Sequence, residues 1–293
     1  MIQGIINVLK PPGMTSHDVV SFIRRQFQIK RVGHAGTLDP AAAGVLPVYL
    51  GQATRLIEYA ANFDKSYRVE LTVGKETDTG DEMGNIIRTA HCQLPNASEL
   101  AAVLQTFVGE SSQIPPMYSA VKIDGKKLYE YAREGIVVDR KSRDITIYSI
   151  SLLKSNDTVL LFDVTCSKGT YVRTLCADIG KKLNCPVVMS FLLRTRVGCF
   201  SLERALTLEE ITVKKLDALL PIDSAIDFMP AIELEPEQIQ AFFNGQQILV
   251  PGPANVPVRF YDTKQKFLGI AQKTDGTPYF KPLKVLKDSY MND

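Results

Sequence analysis

Segments of period-two apolar alternation and segments of helical spacing follow one another along this chain in no regular order, and that irregularity restricts the folds open to it. Residues 4–9 read as a strand ending at Pro11-Pro12-Gly13. Ser16 then caps a helix whose Val19, Phe22, Ile23 and Phe27 share one face. Residues 45–50 and 67–73 read as strands, 76–84 as an acidic loop, 98–107 as a helix, and Asp124-Gly125 as a two-residue hairpin turn before a helical stretch at 128–133. Two β-rich runs, 144–153 and 158–166, lead into a helix at 171–183 and a strand at 187–197. A doubly wound parallel sheet needs regular strand–helix–strand alternation, which this order lacks. The pattern specifies an α+β fold with a mixed, largely antiparallel sheet flanked by helices. Beyond an acidic stretch at 205–240 carrying Pro221, Pro230 and Pro236, short strands at 256–261, 266–271 and 282–286 alternate with Gly, Pro and Asp. They specify a small β-rich, barrel-like module. The boundary is placed near residue 230, dividing the chain into 1–230 and 231–293.

Composition narrows the class further. With 45% hydrophobic and 23% charged residues and no biased tract, the 293-residue chain is a folded globular protein rather than a disordered one. No apolar run approaches the roughly 18 residues of a membrane span. Residues 1–12 lack the basic and apolar regions of a secretory leader, so cytoplasmic residence is expected. The five cysteines are odd in number and none is spaced Cys-x-x-Cys, which argues against a disulfide framework and a zinc site; all are expected reduced and buried. The net charge of +2 conceals basic blocks: residues 1–60 carry +3, 119–196 carry +6 and 241–293 carry +3, while the stretches between are acidic. Such segregation suits one face to a polyanion.

The glycine-rich segment Gly33-His34-Ala35-Gly36-Thr37-Leu38-Asp39 fits neither dinucleotide nor triphosphate loop patterns and has no lysine for a phosphate. The three histidines show no metal-ligand spacing, and Asp78-Thr79-Gly80-Asp81-Glu82 departs from the calcium-loop order. That leaves one carboxylate, Asp39, in a shaped loop beside His34. Its spacing alone favours a turn or capping aspartate before proline.

Lys10-Pro11-Pro12-Gly13-Met14-Thr15-Ser16, followed by Gly33-His34-Ala35-Gly36-Thr37-Leu38-Asp39-Pro40-Ala41-Ala42-Ala43-Gly44-Val45-Leu46, resembles the tRNA pseudouridine synthase B (TruB) family. Lys65-Ser66-Tyr67, Thr77-Asp78-Thr79-Gly80-Asp81, Pro116-Met117-Tyr118-Ser119-Ala120-Val121-Lys122 and Ser167-Lys168-Gly169-Thr170-Tyr171-Val172-Arg173 extend the resemblance in order over roughly residues 4–200. Residues 231–293 are similar to a short PUA-like RNA-binding module, on weaker motifs.

The resemblance implies the pseudouridine synthase fold and conversion of uridine 55 in the tRNA T-loop to pseudouridine by base flipping, without cofactor or metal. It makes Asp39 the group that attacks the base, attacks the sugar or removes a sugar proton, three routes that stay open. Arg173 becomes its counter-charge, and Tyr67 the aromatic platform for the flipped base. His34 fills the space that base leaves, Leu192 packs on the uracil, and Lys10 and Pro11 border the site. Asp81 pairs with Arg173 when RNA is absent. Residues 113–143, with Lys122, Lys126 and Lys127 among their cations, clamp the T-loop, and the C-terminal module reaches the acceptor stem. The partner so implied is tRNA, with no membrane and no obligatory protein partner, the chain acting as a monomer. Two other classes make distinct expectations: a non-catalytic RNA-binding or tRNA-folding protein on the same fold, and a metal-dependent hydrolase built on Asp78, Asp81 and Glu82.

Overall fold

A computed structural model describes residues 2–287. The chain opens with β1 (Gly4–Lys10), whose residues are apolar on both faces because α1 (Ser16–Phe27) covers one side and residues near Phe200 and Ala225 cover the other. The helix cap lies one residue earlier than the sequence reading placed it. Thr15 Oγ1 accepts from the Asp18 amide at 3.0 Å while the Asp18 carboxylate accepts from the Thr15 amide at 2.8 Å. This capping box satisfies two end donors and contributes about 1 kcal/mol. Ser16 is thereby freed for another use: its buried hydroxyl accepts from the Leu38 amide at 2.9 Å and donates to the Leu38 carbonyl at 3.1 Å, fixing the residue before Asp39.

Next come β2 (Val32–His34), β3 (Ala43–Leu50) and the single helical turn α2 (Ile57–Ala60). They are followed by β4 (Lys65–Val73) and the hairpin β5 (Lys75–Thr77) and β6 (Ile86–Thr89), which carries the acidic loop at its tip. After α3 (Ala97–Gln105) and β7 (Gly109–Gln113), Asp124 and Gly125 turn β8 (Lys122–Ile123) into β9 (Lys126–Lys127) at φ 50° and 81°. Both central residues thus adopt the left-handed geometry of a two-residue hairpin. Then follow α4 (Leu128–Arg133), β10 (Arg143–Ser155), β11 (Val159–Cys166), α5 (Val172–Lys182), β12 (Val187–Val197), β13 (Phe200–Ser201) and α6 (Leu208–Lys214).

Among the described residues nine strands form one sheet in the order β1-β3-β12-β4-β11-β10-β7, with β2 on β3 and β13 on β12. Every pairing is antiparallel except β12 with β3, where Leu193 lies opposite Ala43 and Arg194 opposite Gly44. The mixed, largely antiparallel sheet expected from the element order is therefore present. On β4, Tyr67, Val69, Leu71 and Val73 face the core under α3 and α5, while the intervening residues face outward. The β3–β12 contact is tight: a Cβ on Gly44 (φ 121°) would lie 2.2 Å from the Arg194 carbonyl oxygen, so only glycine fits there.

A second sheet, β14 (Ala231–Glu233), β15 (Ile248–Leu249), β16 (Pro257–Tyr261), β17 (Phe267–Lys273) and β18 (Tyr279–Val285), takes the order β14-β16-β17-β18-β15 and packs on α7 (Pro236–Phe243). It is seated on the larger part through Leu56, Ile226, Met229, Tyr261, Phe267, Ile270 and Leu286, and by Arg259, whose Nε donates to the Met229 carbonyl at 2.9 Å. The sequence reading missed β14 and β15 because three- and two-residue strands are too short to show a period. The cysteines are free, but only Cys166 and Cys176 are buried; Cys92 and Cys185 are half-buried and Cys199 is exposed. Loop placement at the ends of strands, rather than residue type, decides this.

Candidate active site

A cleft of about 470 Å³ opens where β4 and β12 run beneath the loop from Gly36 to Asp39. Tyr67, Leu192 and Arg194 supply its floor, Arg173 a wall, and Lys122, Arg143 and Lys168 its exposed rim. The floor follows from strand geometry. Leu192 and Arg194 are two apart on β12, so both point to one face of the sheet, the face shared by their β4 partners Val69 and Tyr67.

Asp39 sits in the loop that Ser16 pins, its side chain 38% exposed, and its Oδ2 lies 3.1 Å from Nε of Arg173. Arg173, on the first turn of α5, is 8% exposed and fully engaged: Nη1 donates to the Thr79 carbonyl at 3.0 Å and faces Asp81 Oδ2 at 3.7 Å, and Nη2 donates to the Tyr118 carbonyl at 2.6 Å. One guanidinium therefore joins the Asp39 loop, the β5–β6 tip and the segment before β8. Its planar fork makes this possible, since several donors diverge from one rigid group.

Lys10 is wholly buried at the end of β1, its Nζ donating to the carbonyls of Pro11, Met14 and Pro40 at 2.9, 2.6 and 3.2 Å. It ties the Pro11 turn to the residue after Asp39. Burial, aided by the Arg194 charge, lowers its pKa to about 8. His34, at the end of β2, is half-buried and does not line the cleft; burial and the Arg194 charge lower its pKa. Tyr67 is buried, and that burial raises its phenol above the ordinary value against the opposing pull of Arg194.

Of the cations at 113–143, Lys122 borders the cleft, but Lys126 and Lys127 lie further along and are half-buried. Lys126 pairs with Glu134 and sits 4.7 Å over the Tyr131 ring, and Lys127 sits 5.3 Å over Tyr129. The exposed cations of this segment are Lys122, Arg133, Lys141 and Arg143. The acidic loop does not gather its carboxylates: Asp78 accepts from the Asn85 amide at 2.9 Å, Glu82 pairs with Lys75 at 2.9 Å, and Asp81 faces Arg173. That dispersal removes the donor set a hydrolase built on these three residues would need.

Sequence reasoning missed two cations, Lys65 and Arg194. Lys65 lines the cleft, nearly buried, donating to the Phe63 carbonyl at 2.7 Å, and burial with the Arg194 charge lowers its pKa to about 8. Arg194 is fully buried. The signal was available: once Leu192 is assigned inward, strand alternation turns Arg194 inward too.

The fold is that of a pseudouridylate synthase. The TruB family pseudouridylate synthase N-terminal domain model matches residues 24–172, the tRNA pseudouridylate synthase B C-terminal domain model 173–227, and the pseudouridine synthase II TruB C-terminal model 230–279. The chain belongs to the TruB family. It is 50% identical over 271 residues to tRNA pseudouridine synthase B of Caldanaerobacter subterraneus subsp. tengcongensis, covering 92% of this chain and 94% of that one. It is 39% identical to the same-named protein of Hydrogenovibrio crunogenus, covering 100% of this chain and 96% of that one. Among solved structures, it superposes on a chain of a Cbf5-Nop10-Gar1 complex with a TM-score of 0.76 at 28% identity, covering 98% of this chain and 86% of that one. Among the described residues, no helix is long and apolar enough to cross a membrane.

Proposed function

We propose that this protein isomerises uridine 55 in the T-loop of tRNA to pseudouridine, with Asp39 as the catalytic carboxylate. The observation that carries the reading is the Asp39–Arg173 pair at 3.1 Å, above a floor of Tyr67 and Leu192, inside a cleft with a basic rim. The reaction breaks the N1–C1′ bond, turns the uracil, joins C5 to C1′, releases the C5 proton and places a proton on the freed N1. No atom is gained or lost, so the protein's task is to hold the detached base and control one sugar carbon and one proton. The exposure of the Asp39 side chain supports an approach to the sugar or base by any of the three routes. Arg173 holds the carboxylate, Tyr67 and Leu192 pack on the ring from the floor, and Lys122 with the other rim cations meets phosphates. Lys10 and Pro11 act from behind the loop, His34 from the strand below it, and Asp81 through Arg173. Segment 113–143 clamps the T-loop, Lys126 and Lys127 exchanging their internal partners for RNA. The test is mass-spectrometric mapping of pseudouridine in T-loop RNA incubated with purified protein without added metal; unmodified RNA would reject the reading.

Tyr67 is given two tasks, stacking on the flipped uracil and assisting C5 proton removal, and substitution separates them. Base stacking on an aromatic ring contributes about 1–3 kcal/mol, so Tyr67→Leu is expected to lose both flipping and turnover. Tyr67→Phe keeps the ring, and should bind and flip normally while turning over more slowly. Fluorescence of a 2-aminopurine beside the target follows flipping, and tritium release from C5 follows chemistry. A Phe variant equal to wild type in both would leave stacking as the sole role.

The proposed contact of residues 231–293 with the acceptor stem is best tested by point substitution. Truncation before 231 would uncover Leu56, Ile226 and Met229 and mix a folding defect with a binding one. Lys264, in the turn between β16 and β17, and Lys281, on β18, are exposed. Replacing both by alanine should weaken tRNA binding and reduce the slope of log K against log salt by about one per lost phosphate contact. An unchanged slope would show that these lysines do not meet RNA.

A further inference from the structure

We propose that Arg194 is a positioning residue for this reaction, its guanidinium holding the Tyr67 hydroxyl and the loop before Asp39 in one frame. The inference rests on the reading of the cleft given above and adds a residue that no sequence motif singled out. Arg194 is completely buried at the centre of the sheet, on β12, directly across from Tyr67 on β4. Among the described residues it makes no ion pair; its partners are backbone carbonyls, with Nε to Val45 at 2.8 Å, Nη1 to Thr37 at 3.2 Å and Nη2 to Gly36 at 3.3 Å.

A buried cation without a counter-ion is costly, and an apolar side chain of similar volume would fill the same space without that cost. The guanidinium is therefore there for its donors. Three of the five N–H groups that an arginine carries are spent on the carbonyls, and one of the remaining two is assigned here to the hydroxyl of Tyr67, the residue directly opposite in the β4–β12 pairing. A phenol oxygen that accepts from Arg194 must send its own O–H in another direction, and Tyr67 lines the cleft. The hydroxyl proton is thus aimed toward the space a flipped uracil would occupy. The same group fixes Gly36 and Thr37, two and three residues before Asp39, so the carboxylate and the phenol are set relative to each other by one rigid plane. The backbone that carries it is closely packed, because β3 at Gly44 is pressed against the Arg194 backbone with no room for a Cβ.

Four proteins test this: wild type, Arg194→Lys, Tyr67→Phe and the double variant, each measured for kcat and KM on T-loop RNA. Displacement of a positioned group by about 1 Å costs on the order of 10²-fold, so Arg194→Lys is expected to lower kcat by about that factor. Its KM should stay within about threefold, because ground-state contacts to RNA are untouched. In the Tyr67→Phe background the same substitution should cost at least about fivefold less, since the hydroxyl it held is gone. Effects that simply multiply would overturn the proposal and leave Arg194 a packing residue. A wild type that forms no pseudouridine would overturn the underlying reading and the proposal with it. If Arg194→Lys does not fold, side-chain spectra of 15N-arginine-labelled protein decide the question: Tyr67→Phe should shift the Arg194 guanidinium protons, and an unmoved signal would overturn the contact.

Discussion

Asp39→Asn is expected to bind tRNA within about threefold of wild type and to form no pseudouridine, a loss of at least about 10⁴ in turnover if the carboxylate acts as base or nucleophile. The amide has the shape of the carboxylate, and its oxygen can still accept from Arg173 Nε, which approaches at 3.1 Å in the native protein. The loop is held from elsewhere, by Ser16 on Leu38 and by Lys10 on Pro40, so the variant should fold and present an intact cleft. What it loses is the ability to take a proton or form a bond to carbon. Single-turnover assays with tRNA filter binding read the two quantities separately. Pseudouridine at more than a trace from rigorously purified variant would reject Asp39 as the catalytic group and favour a scaffold that binds RNA without chemistry.

Arg173→Lys is expected to reduce single-turnover rate by about two orders of magnitude although the charge is kept. In the native structure the guanidinium reaches Asp39, Asp81, the Thr79 carbonyl and the Tyr118 carbonyl at once. An ammonium on a shorter stem has one nitrogen and cannot span them. Some acceptors would be left buried without a donor, each costing about 1–3 kcal/mol, so the melting temperature should fall as well. The two consequences separate by temperature: assayed well below its melting point, the variant should remain slow because Asp39 has lost its fixed partner. Near-native single-turnover rates there would show that Arg173 only braces the fold.

Much of this architecture follows from local pattern. Periods of two and 3.6 mark β4, β12, α1 and α5 because a residue's side of a strand or helix is set by its neighbours alone, and Asp124-Gly125 turns β8 into β9 because its backbone preference is local. The irregular order of elements favours a mixed sheet, and the ordered motifs around Asp39, Tyr67 and Arg173 all fall on the lining of the cleft. Tertiary structure decided the rest. Thr15 rather than Ser16 caps α1 because the Leu38 backbone, far along the chain, claims the Ser16 hydroxyl. Lys126 and Lys127 read as free cations in sequence, yet they lie against Glu134 and two tyrosines once α4 folds back on the hairpin. Arg194 looks like one more basic residue in a charged block, and only the parallel seam between β12 and β3 buries it beneath the Asp39 loop and beside Tyr67. Sequence period reports which way a side chain faces. What it faces depends on strand pairings between distant segments, which are chosen by the packing of the whole sheet.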